Sequence, residues 1–179
     1  MGFQMPSAAP QAGPAGLVYA DVPNRIIAYI IDIIILAVVN FIIGAILVAV
    51  SFGTATIGLG WIVWILVGLA INAGYFIYTW TAMRGTIGMK VLGMQIGNAG
   101  DGKTMTMDQA IRRWIFVGGW VALVNLVTGT LGVLGLLVAL LALVYEIFLL
   151  YTTAQSPTKQ GFHDVQAHTQ VVKATRAVA

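Results

Sequence analysis

The stretch NRIIAYIIDIIILAVVNFIIGAILVAV, Asn24 to Val50, leaves a folding chain few choices. It is apolar for longer than the ~20 residues a helix needs to cross the ~30 Å hydrocarbon core of a bilayer. Yet Arg25 stands at its start and Asp32 lies inside it. A carboxylate within a span costs roughly 2.5–3.5 kcal/mol on insertion scales, so one is rarely found there without a partner or a task. Seven steps of 100° nearly close two turns, which puts Arg25 and Asp32 on one helix face, about 10 Å apart along the axis.

The rest of the chain supports a membrane setting. Of 179 residues, 59% are hydrophobic and 8% charged, against about 25% charged in soluble domains. This composition implies an integral membrane protein whose length is spent on spans and short connectors, with the lipid bilayer as its first partner and no room for a soluble enzyme domain. The net charge of +3 comes from nine scattered basic residues, which bear on orientation and give no nucleic-acid patch. Cysteine is absent, which excludes disulfides, thiol redox chemistry and cysteine-ligated metals.

Residues 1–22, rich in Ala, Pro, Gly and Gln, read as a disordered tail. No basic n-region precedes an apolar core, so a secretory signal is not expected. Pro6 occupies the position where a myristoylation motif needs Ser or Thr. Spans are expected at about 25–50, 57–80, 111–128 and 131–153. SFGTAT, Ser51 to Thr56, is an uncharged turn between the first two, and Trp61, Trp64, Tyr75, Tyr78 and Trp80 lie near the ends of the second. The block from Ile111 to Tyr151 is too long for one crossing and suits two, with a break at Thr128-Gly129-Thr130.

Charge placement tests this count. Arg25 precedes the first span; Arg84, Lys90, Lys103, Arg112 and Arg113 fall between the second and third; Lys159, Lys173 and Arg176 follow the fourth. The other two connectors carry no charge. With four spans every basic residue falls on one side, which the positive-inside rule makes cytoplasmic, so both termini are expected on the cytoplasmic side of the cell membrane.

This topology puts three polar groups at one depth. Asp32, Asn72 and Glu146 each lie seven or eight residues from the cytoplasmic end of a span, roughly 10–12 Å into the membrane. Gly135, Ala139, Ala142 and Glu146 share one stripe of small residues, so Glu146 should face other helices. Gly68, Asn72, Tyr75 and Thr79 share a face of the second span, and Gly118, Ala122 and Asn125 one of the third. Two readings remain. Asp32 can be paired statically to Arg25, with Glu146 neutral and bonded to Asn72 or a tyrosine. Alternatively the carboxylates form a proton- or cation-binding site.

Outside the spans, NAGDG (Asn98 to Gly102) reads as a turn between short extended pieces, and Asp108 as the N-cap of the helix that becomes the third span. Residues Val91 to Ile96 and Thr169 to Lys173 are expected to be extended. The glycines of this loop fit neither GxGxxG nor a P-loop, so no nucleotide cofactor is implied. His163, Asp164 and His168 sit close in sequence, but a spacing of five matches no helical ligand pair and a third ligand is lacking, so no metal is expected.

Three segments in order, RIIAYIID (Arg25 to Asp32), T-x-G-x-K-x-L-G-M (Thr86 to Met94) and KQGFHDVQAHTQVV (Lys159 to Val172), resemble the RDD family of small multi-pass membrane proteins. The likeness covers roughly residues 18–174, with a membrane domain over 23–175 and a tail over 176–179. That family is named for one Arg and two Asp, which match Arg25, Asp32 and Asp164 here. Gly85 departs from it, where the family often has Gln. The resemblance implies transport, with sodium/proton exchange credited to some members and an accessory role in membrane complexes to others.

The expectation is an all-α bundle of four transmembrane helices with a small cytoplasmic cap from residues 81–110 and 155–175. Its leading function is secondary transport or cation/proton exchange, with a small cation or proton as substrate. Asp32 would carry the ion, Arg25 would tune it, Glu146 would be a second carboxylate, and Asp164 would gate or balance charge. Four spans are few for a lone transporter, so a homo-oligomer is implied. The rival is a non-catalytic subunit of a larger membrane complex. An enzyme is not expected, because no nucleophile–base pair or metal triad is evident.

Overall fold

In an apolar solvent every backbone amide must find its partner within the chain, and helices meet that demand locally. The computed structural model, which describes residues 16, 18–54, 57–119, 124 and 133–173, resolves the apolar blocks accordingly. Helix α1 runs Val22–Thr54, α2 Ile57–Ala82 and α5 Val133–Gln155. Three stretches, Val22–Val50, Ile62–Ala82 and Val133–Gln155, are long and apolar enough to cross a membrane. Their outward surfaces are bare hydrocarbon: Phe41 is 77% exposed and Leu141 69%. This is a mostly helical membrane protein.

Several boundaries differ from expectation. Ser51 to Thr54, read as a turn, continue α1, since nothing in SFGT forces a stop while lipid favours the helix. The expected span over 111–128 is represented only by its first part. Helix α4, Met107–Trp114, passes into a π-helical turn over Ile115–Gly119. The break at 128–130, Ala122 and Asn125 lie outside the described residues. Asp108 is not the cap of α4. Thr106 is, with its hydroxyl accepting from Gln109 N–H and the Gln109 side chain accepting from Thr106 N–H. This reciprocal pair outcompetes a lone carboxylate two residues on. Asp108 instead meets Arg112 one turn later at 2.9 Å.

The start of α1, the end of α2 and the end of α5 meet in a cap built from the two polar segments. After α2 come a short helix α3, Ile87–Val91, and strand β1, Met94–Asn98; after α5 come α6, Phe162–Gln166, and β2, Thr169–Lys173. β1 and β2 pair antiparallel with Ile96 opposite Val171. The second extended segment agrees with the reading above, but the first begins at Met94. Thr86 caps α3, and Gly93, at φ 65°, ends that turn before the strand starts. The turn after β1 closes with Gly102 N–H donating to Asn98 O at 2.9 Å.

The tail is also shorter than expected. Tyr19 bridges to Val172, Ala20 N–H donates to Val171 O at 3.0 Å, and Lys173 N–H donates to Val18 O at 2.8 Å. Residues 18–20 therefore lie along β2, and Ala20 is fully buried beside Trp80, Met94, Ile96 and Val171. Residues 1–15 and 17 lie outside the described set. The cap core is where burial concentrates, because lipid solvates the spans while water surrounds the cap.

Candidate functional site

Two polar centres stand one above the other along α1. The lower one is organised by Asp164, which is completely buried. Gly161 starts α6, and Asp164 reaches back to accept Gly161 N–H at 3.2 Å. Only glycine fits there, since a Cβ at 161 would lie 2.2 Å from Thr153 Oγ1. Arg25 Nη1 donates to Asp164 Oδ2 at 2.8 Å, while its Nη2 and Nε donate to Val171 O and Ala20 O. Arg113 Nη1 donates to Asp164 Oδ1, and to Thr169 Oγ1 at 2.8 Å. Arg113 also lies over the Trp80 ring, 5.2 Å from its centroid. One carboxylate thus holds two guanidiniums away from water and ties α1, α4 and α6 together.

His163 adjoins this centre, with Nε2 3.5 Å from Asp164 Oδ2. Burial, then the charges of Arg113 and Arg25, hold its pKa well below the usual 6.5. The imidazole is therefore neutral at physiological pH, and the contact is not an ion pair. His168 ends α6 in a left-handed conformation at φ 52°, and its carbonyl accepts from Ala99 N–H and Gln109 Nε2. Among the described residues, no three His, Cys, Asp or Glu side chains group as metal ligands.

The upper centre is Asp32, 2% exposed. Its Oδ1 accepts the Tyr75 hydroxyl at 2.6 Å and Gly88 N–H at 2.8 Å. The Tyr75 oxygen in turn accepts Ile87 N–H at 3.2 Å. Among the described residues, no cation pairs with Asp32 and nothing donates to its Oδ2. The pairing of Arg25 with Asp32, one of the sequence readings, does not occur. Arg25 sits in the first turn of α1, where the sheet carbonyls and Asp164 lie within reach, whereas Asp32 faces α2 and α3.

Asn72 and Glu146 complete the expected polar layer only in part. The Asn72 amide oxygen accepts Trp114 Nε1 at 2.8 Å, which ties α2 to α4. Glu146 is half-buried on α5. Tyr29, on α1, lies within electrostatic reach of both Glu146 and Asp32. Tyr145 donates to Phe116 O at 2.7 Å. Among the described residues, no hydrogen bond joins Asp32, Asn72 and Glu146 to one another. The expected bond from Glu146 to Asn72 is therefore not formed there, and the Asn72 oxygen is taken by Trp114 instead.

Arg25, Asp32 and Asp164 thus lie toward the cap end of the helices. The family model described as the RDD family matches residues 19–168. The chain belongs to the RDD family. No curated protein and no solved structure matches it. In this RDD protein Arg25 and Asp164 form a direct contact, and Asp32 is a separate carboxylate.

The sequence reading missed Arg113, Thr169, Tyr75 and Gly88 as partners of these carboxylates. Arg113 had a detectable signal. On a helix, Arg112 and Arg113 point 100° apart, and only Arg112 has an acid one turn away, at Asp108. The Gly88 amide had none, because a backbone donor is revealed only by the chain's path.

Proposed function

We propose that this RDD protein is a secondary transporter or cation/proton exchanger of the cell membrane, with Asp32 as the ion-carrying group. One observation carries the reading: Asp32 is buried within an apolar span, held by two neutral donors, and among the described residues nothing donates to its second oxygen and no cation touches it. A static salt-bridge role would want a counter-charge, and both candidate arginines are committed to Asp164. A proton or small cation would neutralise Asp32 and use the open oxygen. Glu146 would be a second carboxylate on the path, with Asn72 lining it. Asp164 would balance the two guanidiniums at the cap end and stay fixed.

Four spans with both termini cytoplasmic go with this proposal. Parity supports the count: α2 and α5 both run toward the cap, so one more crossing belongs between them. The positive-inside rule supports the orientation.

Purified protein in liposomes should dissipate a pH gradient when Na⁺, K⁺ or Li⁺ is added, and Asp32→Asn should abolish this while melting near wild type. An Asp32→Asn variant that exchanges at the wild-type rate removes Asp32 from the mechanism. The accessory-subunit reading has its own support. Only 6%, 11% and 11% of the apolar windows of α1, α2 and α5 are buried, which leaves faces that partner helices could cover. It predicts no flux from pure protein and co-purification with a larger complex.

A further inference from the structure

Helix α3 follows α2 after only four residues, yet it does not extend away from the bundle. It turns back. Gly88 rests on the backbone of Ala28, so closely that a Cβ would lie 2.1 Å from Ala28 O. The first three amides of α3 are satisfied by side chains: Ile87 N–H by the Tyr75 hydroxyl, Gly88 N–H by Asp32 and Met89 N–H by Thr86 Oγ1. Tyr75 stands seven residues before the end of α2 at Ala82, about 10 Å along its axis. Asp32 stands equally far past Arg25. On the outer side of α1 at this level, Ile27, Ile30, Ile33 and Ile34 are all 45–57% exposed.

Helix α3 thus lies beside the apolar parts of both spans, and its own outer face continues theirs. Ile87 and Val91, one turn apart, are 40% and 68% exposed, and Met83 before them is 39% exposed. Lys90, exposed just before Val91, has a stem long enough to reach a headgroup phosphate. Non-spanning backbone at membrane depth is tolerated only when its polar groups are satisfied by protein. The three capped amides meet that condition, and a loop in water would not need it.

We infer that Thr86–Val91 is a re-entrant helix, with Ile87 and Val91 packed against lipid acyl chains in the leaflet that borders the cap. The inference stands apart from any transport activity. Because the chain has no cysteine, single-cysteine variants test it directly in the full-length protein. Ile87→Cys and Val91→Cys would be spin-labelled in phosphatidylcholine/phosphatidylglycerol vesicles. Phe41→Cys on α1 serves as the lipid reference and Lys103→Cys in the cap turn as the water reference. Labels at 87 and 91 should favour collision with oxygen over a nickel chelate, as at 41 and opposite to 103. Before labelling, both thiols should also react with a charged maleimide at least about tenfold more slowly than Cys at 103, the effect of raising a thiol pKa by about one. Nickel accessibility and reactivity matching position 103 would overturn the inference.

Discussion

Replacing Asp164 with Asn is the most telling perturbation of this fold. The side chain keeps its shape but loses the charge that faces Arg25 and Arg113. Arg113 is 4% exposed and Arg25 11%, so neither guanidinium can turn to water without opening the cap. In the native protein the cluster holds two positive charges and one negative; in the variant it holds two positive charges alone. The new amide also presents N–H groups where Arg and Gly161 donors already converge. Removing one partner of a buried ion pair costs about 3–5 kcal/mol, because it strands the other charge. For a chain of this size, each kcal/mol lowers Tm by about 2–4 °C, so the loss should be roughly 6–20 °C. Trp80, buried beneath Arg113, reports the transition by fluorescence during a thermal scan in detergent. Adding Arg25→Gln to Asp164→Asn returns the cluster to one positive charge. The double variant should then be less destabilised than the sum of the two singles, by about 0.5–3 kcal/mol. An Asp164→Asn variant that melts within about 1 °C of wild type, far below the loss expected from a buried pair, would refute the view that this triad holds the cap together.

Two further outcomes follow from the same geometry. Gly88→Ala forces a methyl onto the Ala28 carbonyl, both of them backbone-anchored; overpacking of this kind costs about 1–3 kcal/mol, and denaturation in detergent should show it. A fully stable Gly88→Ala protein would mean that α3 does not touch α1. The second outcome concerns pH. His163 is held neutral in the fold with its pKa well below 6.5, while the unfolded chain takes up a proton near 6.5. The unfolded state therefore binds more protons as pH falls below about 6.5, and stability should decline there and be level above it. His163→Gln should flatten its share of that slope when Tm is followed from pH 8 to pH 5; an unchanged slope would assign the decline to other groups.

The spans were legible in the sequence because lipid imposes a simple rule: about 20 apolar residues, all amides bonded within the helix. The gathering of basic residues at one end was legible for the same reason, since charge placement follows topology. The extended segment at Thr169–Lys173 was legible because three of its five residues, Thr169, Val171 and Val172, are β-branched. The start of the first strand was misplaced because the propensity of Val91 is weak beside the Thr86 cap and the Gly93 stop.

What the sequence could not supply was the partner of each buried charge. Arg25 and Asp32 share a helix face and lie near in sequence, so the face rule made them candidates for one another. Arg25 instead pairs with Asp164, 139 positions away, because α6 and the sheet bring that carboxylate to the first turn of α1. Asp32 is left to the Tyr75 hydroxyl and the Gly88 amide, a donor that every residue but proline possesses and that no pattern can mark. The chain alone determined that this is a membrane protein with expensive charges in its opening helix. Only the tertiary structure decided which charge is locked and which is open, since desolvation and pairing depend on what the fold packs against each carboxylate.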